Sequence, residues 1–254
     1  MNLITKKIIE FSSKFIPVSK PVHIYYHDVT LDSGMSFMRI NYKKIEEQFM
    51  YLSKNNYQTL LFSEQENDKL ISQETIVISF DDGFVSNYEF VFPLALKYKI
   101  KFNIFLTLDY IGTQNYLTWD MINEMYQSGY VEFGAHTKSH IDSRKINDAN
   151  FASEIINVND SIHKNSKIKV DDFCFPFGMY NENILQYLDN KKVYRRLYTS
   201  DMVNRGSMNY SKIVGRIGIR DEDTLKDFER KVKGHYSSIY YFKRLRSFGN
   251  YHGI

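Results

Sequence analysis

The chain has 254 residues, with 33 lysines and arginines against 30 aspartates and glutamates, which gives a formal net charge of +3. This near balance argues against a dedicated nucleic-acid binder, because such proteins usually carry a strong excess of basic residues. The single cysteine excludes an internal disulfide and a cysteine-rich zinc module.

The N-terminal segment, residues 3–15, places Ile4, Ile8, Phe11 and Phe15 at the spacing of one helical face. We expect a helix that packs on the domain, and peripheral contact with a membrane surface is the alternative. Lysines and a glutamate interrupt the apolar positions, and no apolar run reaches the roughly 18 residues of a spanning helix, so we expect neither a signal peptide nor a membrane span. We therefore expect a cytoplasmic protein, either free or at the inner face of the membrane.

Beyond this segment the chain alternates short β-rich runs with longer runs of helical periodicity. Strands are predicted at residues 22–26, 75–80, 101–107, 130–133, 173–175, 193–199 and 212–217. Helices are predicted at residues 41–54, 87–99, 119–127, 150–163, 183–188 and 223–233. Thr118 is the expected N-cap of helix 119–127, and Pro93 is expected to kink helix 87–99 or to lie near its start.

This alternation predicts one α/β domain with a parallel sheet or barrel, since the chain has no internal repeat and no linker rich in Pro, Gly or Ser. We expect a single domain over residues 1–254, with a core at about 22–232. The N-terminal helix and a basic tail rich in aromatic residues, 233–254, are expected as appendages. A solvated basic surface is the default interpretation of the tail, and an anionic lipid or glycan partner is the alternative.

Chemically distinctive residues follow four of the predicted strands. His27-Asp28 follows the first strand, Asp81-Asp82-Gly83 the second, the histidine segment 136–140 the fourth, and Pro176-Phe177-Gly178 the fifth. Each pattern alone has a structural explanation, because an acidic pair before glycine or a Pro-x-Gly is often only a turn. Their co-occurrence at strand ends indicates a functional site, since the chemistry of α/β barrels lies at the C-terminal ends of the strands.

The residue types at these ends are typical of metal-assisted hydrolysis. His136 and His140 are four residues apart and can converge on one ion if the segment forms a helical turn. With one carboxylate they form a set that suits zinc or non-haem iron. Two adjacent carboxylates point in different directions, so one can bind the ion, which lowers the pKa of bound water, while the other takes a proton. A histidine would suit the protonation of a leaving nitrogen.

These residues resemble a known family. The run Ile78-Ser-Phe-Asp-Asp-Gly-Phe84 resembles the Asp-Asp-Gly signature of the polysaccharide deacetylase (NodB-homology) family, carbohydrate esterase family 4. Residues 134–140, GAHTKSH, resemble its His-(Ser/Thr)-x-x-His signature. Residues 175–178, FPFG, resemble the third element of the branch that contains bacterial poly-N-acetylglucosamine deacetylases. Shorter agreements with that branch lie at residues 26–28, 117–120 and 215–219, so the resemblance covers about 22–232.

The resemblance implies a role for each matching residue. Asp81 would be the general base and Asp82 the carboxylate ligand of the metal. His136 and His140 would complete the metal site, and His27 would be the general acid. The implied fold is a single-domain distorted (β/α) barrel with fewer than eight strands.

The third element of the resemblance bears on further residues of the predicted site. The backbone N–H of Phe177 would help to hold the oxyanion. Many members of the family have an arginine two residues before the motif proline, where this chain has Cys174, although the poly-N-acetylglucosamine branch also lacks it. We expect Cys174 to be a buried, unreactive thiol, and Arg216, at another strand end, to supply the missing charge beside Asp81.

The implied function is metal-dependent hydrolysis of N-acetyl groups on a hexosamine-containing glycan or glycan precursor, with release of acetate. The expected cofactor is one divalent ion, with Zn²⁺ preferred over Co²⁺, Ni²⁺ or Fe²⁺. The alternative is a catalytically inactive glycan-binding or assembly protein on the same fold. A Mg²⁺-dependent phosphohydrolase is disfavoured, because paired histidines prefer zinc-like ions and the chain has no glycine-rich phosphate loop. The sequence leaves the sugar, the chain length and the oligomeric state open.

Overall fold

A computed structural model describes residues 20–32, 38–66, 71–72, 74–200 and 213–235. The predicted N-terminal helix and the tail from residue 236 onward lie outside these ranges. Within them, no helix is both long enough and apolar enough to cross a bilayer. The boundaries predicted for the domain and its appendages stay predictions.

The described residues alternate strands and helices, as the sequence predicts. The strands are β1 (Val22–Tyr26), β2 (Asp28–Thr30), β3 (Arg39–Asn41), β4 (Gln58–Thr59), β5 (Thr75–Phe80), β6 (Phe102–Leu106), β7 (Val131–Ala135), β8 (Asp172–Cys174), β9 (Arg196–Thr199), β10 (Ile213–Gly215) and β11 (Ile217–Gly218). The α-helices are α1 (Tyr42–Lys54), α2 (Phe92–Tyr98), α3 (Trp119–Gln127), α4 (Asn157–Ser166), α5 (Glu182–Lys191) and α6 (Leu225–Val232). Thr118 caps α3 as predicted. Pro93 lies in the first turn of α2, which follows a π-helical turn at Asn87–Val91.

The main sheet is parallel and runs in the order β10-β9-β8-β7-β6-β5-β1-β11, with β4 beside the first half of β5. Only Arg216 separates β10 from β11, so the two ends of this path are halves of one chain segment. The sheet is therefore nearly closed into a barrel with helices around it, which confirms the predicted fold class. The path contains eight strands rather than fewer than eight, because Arg216 divides the last segment in two.

The barrel interior is packed below the C-terminal strand ends. Side chains of alternate strand residues point inward and fill this space. They form a buried cluster that is separate from the main hydrophobic core and includes Phe105, Cys174 and Tyr198. A 3₁₀ turn, Phe62–Glu66, covers the N-terminal end of the strands, and the N–H of Phe62 donates to Asn103 Oδ1 at 2.8 Å. The packed core and this turn leave the opposite end of the barrel to carry a site.

Gly134 in β7 is required by this interior packing. A Cβ built at this position would lie 2.5 Å from two ring carbons of Phe105 and 2.9 Å from the backbone oxygen of Asp172. We expect Gly134→Ala to lower the free energy of unfolding by about 1–3 kcal/mol, the usual cost of overpacking. Urea denaturation would measure this, with Asp189→Ala on the exposed face of α5 as the control. Equal midpoints for both variants would contradict the close packing of β7 against β6.

Candidate active site

The predicted site residues meet at the C-terminal end of the barrel. His27 follows β1, Asp81 and Asp82 follow β5, His136 follows β7, and Arg216 lies between β10 and β11. His27 is half-buried, and the other four are buried. The parallel order of the strands therefore brings residues from distant parts of the chain into one cluster.

The turn after β5 directs the two carboxylates to different neighbours. The N–H of Asp81 still donates to the carbonyl of Tyr26 at 3.0 Å, which keeps Asp81 in line with the strand. Asp82 and Gly83 then adopt left-handed conformations, with φ of 75° and 80°. Glycine accepts this conformation without strain, and the left-handed turn reverses the chain directly after the second carboxylate. As expected from the sequence, the two carboxylates have different closest partners: Asp82 lies beside His136 and His140, and Asp81 pairs with Arg216.

Asp82 faces both predicted histidine ligands. Its Oδ1 atom lies 3.5 Å from Nε2 of His136 and 3.1 Å from Nε2 of His140, without a well-directed hydrogen bond. Nδ1 of His136 lies 2.7 Å from the backbone oxygen of Cys174. Since a carbonyl only accepts, the proton is on Nδ1, and the lone pair of Nε2 points away from this bond, toward the carboxylate.

This arrangement fits a divalent cation. Burial lowers the pKa of His136 to about 4, so its imidazole is neutral at physiological pH. A buried carboxylate oxygen without a hydrogen-bond donor and a nitrogen lone pair face each other, and a cation between them would satisfy both. One ligand atom from each of Asp82, His136 and His140 lies within 4.8 Å of the other two.

The histidine segment is not the helical turn that the sequence analysis named as one way for His136 and His140 to converge. Thr137 and His140 have left-handed φ values of 64° and 58°, and the segment forms a loop. Glu154 holds this loop, because its carboxylate accepts hydrogen bonds from the N–H of Ser139 at 3.0 Å and from the hydroxyl of Ser139 at 2.9 Å. Glu154 was not predicted as a site residue, because a glutamate within a helical segment is not distinctive in the sequence.

Arg216 pairs with Asp81, as the sequence analysis expects. Its Nη1 donates to Oδ1 at 2.6 Å and its Nη2 to Oδ2 at 2.8 Å, and Arg216 is only 1% exposed. Its guanidinium also lies 4.6 Å from the ring centre of Tyr25. Burial alone would raise the pKa of Asp81, but the charge and hydrogen bonds of Arg216 lower it to about 2. Asp81 is therefore an oriented anion at neutral pH.

Cys174 is buried beside this ion pair. Its Sγ atom lies 2.8 Å from Nη2 of Arg216 and 3.9 Å from Oδ2 of Asp81. Burial raises the pKa of the Cys174 thiol well above its usual range, so the thiol stays protonated. The small side chain leaves room for the guanidinium that arrives from β10–β11.

His27 lies beside Asp81, and Phe177 lies beside His140. His27 Nε2 is 3.9 Å from Asp81 Oδ2, and the carbonyl of His27 accepts a hydrogen bond from Asn87 Nδ2 at 3.0 Å. Phe177 has a left-handed φ of 59° and is 61% exposed, and its ring centre lies 4.7 Å from that of His140. The catalytic roles assigned to both residues stay predictions.

Comparisons with known proteins show which family the chain resembles. A family model described as polysaccharide deacetylase matches residues 69–194. The putative polysaccharide deacetylase YxkH of Bacillus subtilis is 30% identical over 186 residues, which cover 69% of this chain and 64% of that protein. Poly-β-1,6-N-acetyl-D-glucosamine N-deacetylases of Staphylococcus aureus are 27% identical over 162 residues, which cover 58% of this chain and 56% of theirs. The chain thus spans less than two thirds of the length of these curated relatives.

Solved structures share the fold. A polysaccharide deacetylase from Bacillus cereus superposes with a TM-score of 0.74 at 21% identity, over 83% of this chain and 68% of that one. The deacetylase PplD of Streptococcus pyogenes, solved with acetate, superposes with a TM-score of 0.75 at 18% identity, over 85% of this chain and 99% of that one. At these identities the likeness concerns the fold alone.

Proposed function

Because the chain belongs to the polysaccharide deacetylase family, we propose that it is a metal-dependent hydrolase that removes N-acetyl groups from hexosamine residues of a glycan or glycan precursor and releases acetate. The observation that carries this proposal is the separation of the two carboxylates: Asp82 faces the two histidines, whereas Asp81 pairs with Arg216. One carboxylate is thus available to a metal and the other to a proton. The inactive glycan-binding alternative gains no support from this intact set of side chains.

Asp82, His136 and His140 would hold the metal. One carboxylate oxygen and two imidazole nitrogens with open positions form a donor set that suits catalytic Zn²⁺ and, less specifically, Fe²⁺ or Co²⁺. A divalent ion bound there would supply a Lewis acid that activates water and polarises the amide carbonyl. The hydrogen bond from Nδ1 of His136 to the backbone fixes the tautomer that such binding requires.

Asp81 would accept the proton of the attacking water. Its two oxygens are fixed by the two guanidinium nitrogens of Arg216, so the carboxylate cannot rotate away from its position. This bidentate contact also keeps the base ionised, which is a precondition for accepting a proton. Arg216 acts here through Asp81 and is a positioning residue.

His27 would protonate the leaving amine, and Phe177 would stabilise the developing oxyanion through its backbone N–H. His27 Nε2 lies 3.9 Å from Asp81 Oδ2, so the acid that would protonate the leaving nitrogen lies beside the base that would take a proton from water. A hydrogen-bond donor aimed at a developing oxyanion stabilises the transition state by about 2.7–4 kcal/mol in other hydrolases.

The first substrate to test is β-1,6-linked poly-N-acetylglucosamine, because curated relatives from Staphylococcus aureus are named for it. A cytoplasmic location, either free or at the inner membrane face, stays a proposal. Fractionation of native cells would test it, and a purely secreted or periplasmic pool would contradict it.

The proposed function is tested by measuring metal content and acetate release for wild type and Asp81→Asn. We expect about one zinc-like ion per chain in both proteins, because Asp82, His136 and His140 are unchanged. Acetate release by Asp81→Asn should be lower by about 10²–10⁴-fold, the usual effect of losing a general base. If wild type binds metal but releases no acetate, the deacetylase proposal is contradicted. If wild type binds no metal, the assigned ligands are contradicted.

A further inference from the structure

The segment that begins at His27, the proposed general acid, is held by two side chains that follow β5. The carbonyl of His27 accepts a hydrogen bond from Nδ2 of Asn87 at 3.0 Å. The N–H of Val29 donates to Oγ of Ser86 at 3.0 Å, and this hydroxyl donates to Oδ1 of Asp28 at 2.7 Å. We call Ser86 and Asn87 the Ser86–Asn87 pair. Its side chains bond to each of the three residues 27–29.

The imidazole of His27 is held less firmly than its backbone. Its Nε2 lies 3.9 Å from Oδ2 of Asp81, which is longer than a hydrogen bond, and its ring centre lies 5.6 Å from that of Tyr25 in an edge-on contact. Within the described ranges of the chain, the structure shows no hydrogen bond to this imidazole. The distance between the acid and the base therefore depends on where the backbone of residue 27 lies.

The same stretch of chain carries the base and the Ser86–Asn87 pair, since Asn87 comes six positions after Asp81. Strands β1 and β5 pair in register as far as Tyr26 and Phe80, and the N–H of Asp81 donates to the carbonyl of Tyr26 at 3.0 Å. Strand pairing thus joins the two segments up to residue 26. The Ser86–Asn87 pair joins them from residue 27 onward.

Asn87 owes its orientation to a π-helical turn. It begins the turn Asn87–Val91, in which the N–H of Phe92 donates to the carbonyl of Asn87, five positions earlier. The extra residue in such a turn rotates the preceding side chains by about 100° around the axis relative to a regular α-helix. Asn87 and Val91 are both buried. Turns of this kind are frequent at functional sites.

The buried amide of Asn87 is costly apart from its bond to His27. Asn87 is 0% exposed, and its Oδ1 has no hydrogen-bond partner among the residues that the structure describes. A buried oxygen left without a donor costs about 1–3 kcal/mol, which an apolar side chain would avoid. Since a carbonyl only accepts, the amide nitrogen is the atom that faces His27. This contact is what asparagine supplies here and leucine would not.

We propose that Ser86 and Asn87 are positioning residues that hold His27 at the place beside Asp81 from which it delivers a proton to the leaving amine. The inference rests on the proposed function, which gives His27 this role. Without the pair, the segment that begins at His27 can move, whereas Asp81 keeps its contacts with Arg216. A displacement of about 1 Å can lower a rate by about 10²-fold.

The leaving group distinguishes this role from general damage to the site. An amide needs a proton on its departing nitrogen, whereas 4-nitrophenolate leaves an acetate ester without one. In zinc-loaded Asn87→Leu, we expect acetate release from N-acetylglucosamine oligomers to fall by about 10²-fold and hydrolysis of 4-nitrophenyl acetate to fall by less than about threefold. Ser86→Ala should act in the same direction. Ser86→Thr keeps the hydroxyl and should recover most of the amide activity.

A double-mutant cycle tests whether Asn87 acts through the acid. If it does, Asn87→Leu lowers amide hydrolysis no further in the His27→Gln background. Asn159→Ala on α4 is the matched control, because Nδ2 of Asn159 donates to the carbonyl of Val170 at 3.2 Å, before β8 at the opposite end of the barrel. It should not change the ratio of amide to ester hydrolysis. Urea denaturation of each variant shows whether it is folded.

NMR of protein with labelled histidine rings follows His27 without catalysis. The signal of His27 is identified by its loss in His27→Gln. We expect Asn87→Leu to shift or broaden this signal, because the backbone of residue 27 is released, and Asn159→Ala to leave it in place.

Four results would overturn the inference: undiminished amide hydrolysis in Asn87→Leu, equal losses of amide and ester hydrolysis in the folded variant, a further loss in the His27→Gln background, or an unmoved His27 signal. Failure of wild type to release acetate from N-acetylated sugars would instead contradict the proposed function. The NMR signal would then still decide whether the Ser86–Asn87 pair positions His27.

Discussion

Replacement of Arg216 by alanine is expected to lower kcat by about 10²–10³-fold while the metal content stays at the wild-type value. The guanidinium is the only group shown to hold both oxygens of Asp81 among the described residues. Without it, the carboxylate can rotate, and the charge and hydrogen bonds of Arg216 no longer oppose the burial that raises the pKa of Asp81. The fraction of ionised base then falls as the pH is lowered, so the acid side of the pH–rate profile should move to higher pH.

Arg216→Lys separates orientation from charge in this experiment. Lysine keeps the positive charge but cannot make the two parallel hydrogen bonds, so we expect activity between that of wild type and Arg216→Ala. Thermal denaturation of each variant is needed beside the kinetics, because removal of one partner from a buried ion pair typically costs about 3–5 kcal/mol. Unchanged turnover in folded Arg216→Ala would remove Arg216 from the account.

Replacement of Asp82 by alanine is expected to abolish both metal binding and acetate release. The substitution removes the only oxygen ligand of the proposed set and leaves two neutral imidazoles, so retention of a divalent ion should fall sharply. We expect kcat/KM to fall by about 10⁴-fold or more, because activation of water by the ion is lost. Elemental analysis after dialysis and an acetate assay measure the two effects.

Two variants serve as controls for Asp82→Ala. Asp81→Asn should lose activity but keep the ion, and Asp189→Ala on the exposed face of α5 should lose neither. A full complement of metal in Asp82→Ala would show that the ion is bound elsewhere. Full activity without metal would contradict the proposed chemistry altogether.

The strands that carry the site were predictable because their sequences are distinctive. Residues 22–26 and 75–80 are short runs of β-branched and aromatic residues, and the structure places β1 and β5 at these positions. In the structure these strands are buried, as expected for a parallel sheet covered by helices, so their sequences are mostly apolar rather than alternating. Polar residues directly after such a run are conspicuous, which is why Asp81 and His27 could be found from the sequence.

The closure of the barrel and the packing of its interior were harder to predict from the sequence. Nothing local indicates that residues 213–218 contact both ends of the sheet, because this depends on strand partners far away in the chain. The short strands β2, β3 and β4 and the turn at Phe62–Glu66 were not predicted either. They are held by contacts such as Phe62 to Asn103, which join residues 41 positions apart.

The histidine loop brings His136 and His140 together without the helical turn that their spacing suggests. A spacing of four residues is typical of a helical face, and the sequence contains no glycine between His136 and His140 to indicate left-handed backbone. Left-handed conformations at Thr137 and His140 cost energy, and the hydrogen bonds from Ser139 to Glu154 offset part of it. Glu154 belongs to a π-helical turn 14 positions beyond His140, so its role follows from the tertiary structure alone.

The pairing of Arg216 with Asp81 could be foreseen only as a hypothesis. The resemblance indicated that an arginine was missing at Cys174, but the sequence did not show how close residue 216 would lie. The division of the last strand segment at Arg216 now explains the contact, because its side chain enters the barrel where β10 and β11 part.

The proposed metal site can be tested by measuring acetate release from a β-1,6-linked N-acetylglucosamine oligomer before and after removal of metal from wild type. We expect a chelator to abolish acetate release and one equivalent of Zn²⁺ per chain to restore it in wild type but not in Asp82→Ala. Acetate release that persists in metal-free protein, or zinc-restored activity in Asp82→Ala, would contradict the proposal that Asp82, His136 and His140 form the catalytic metal site.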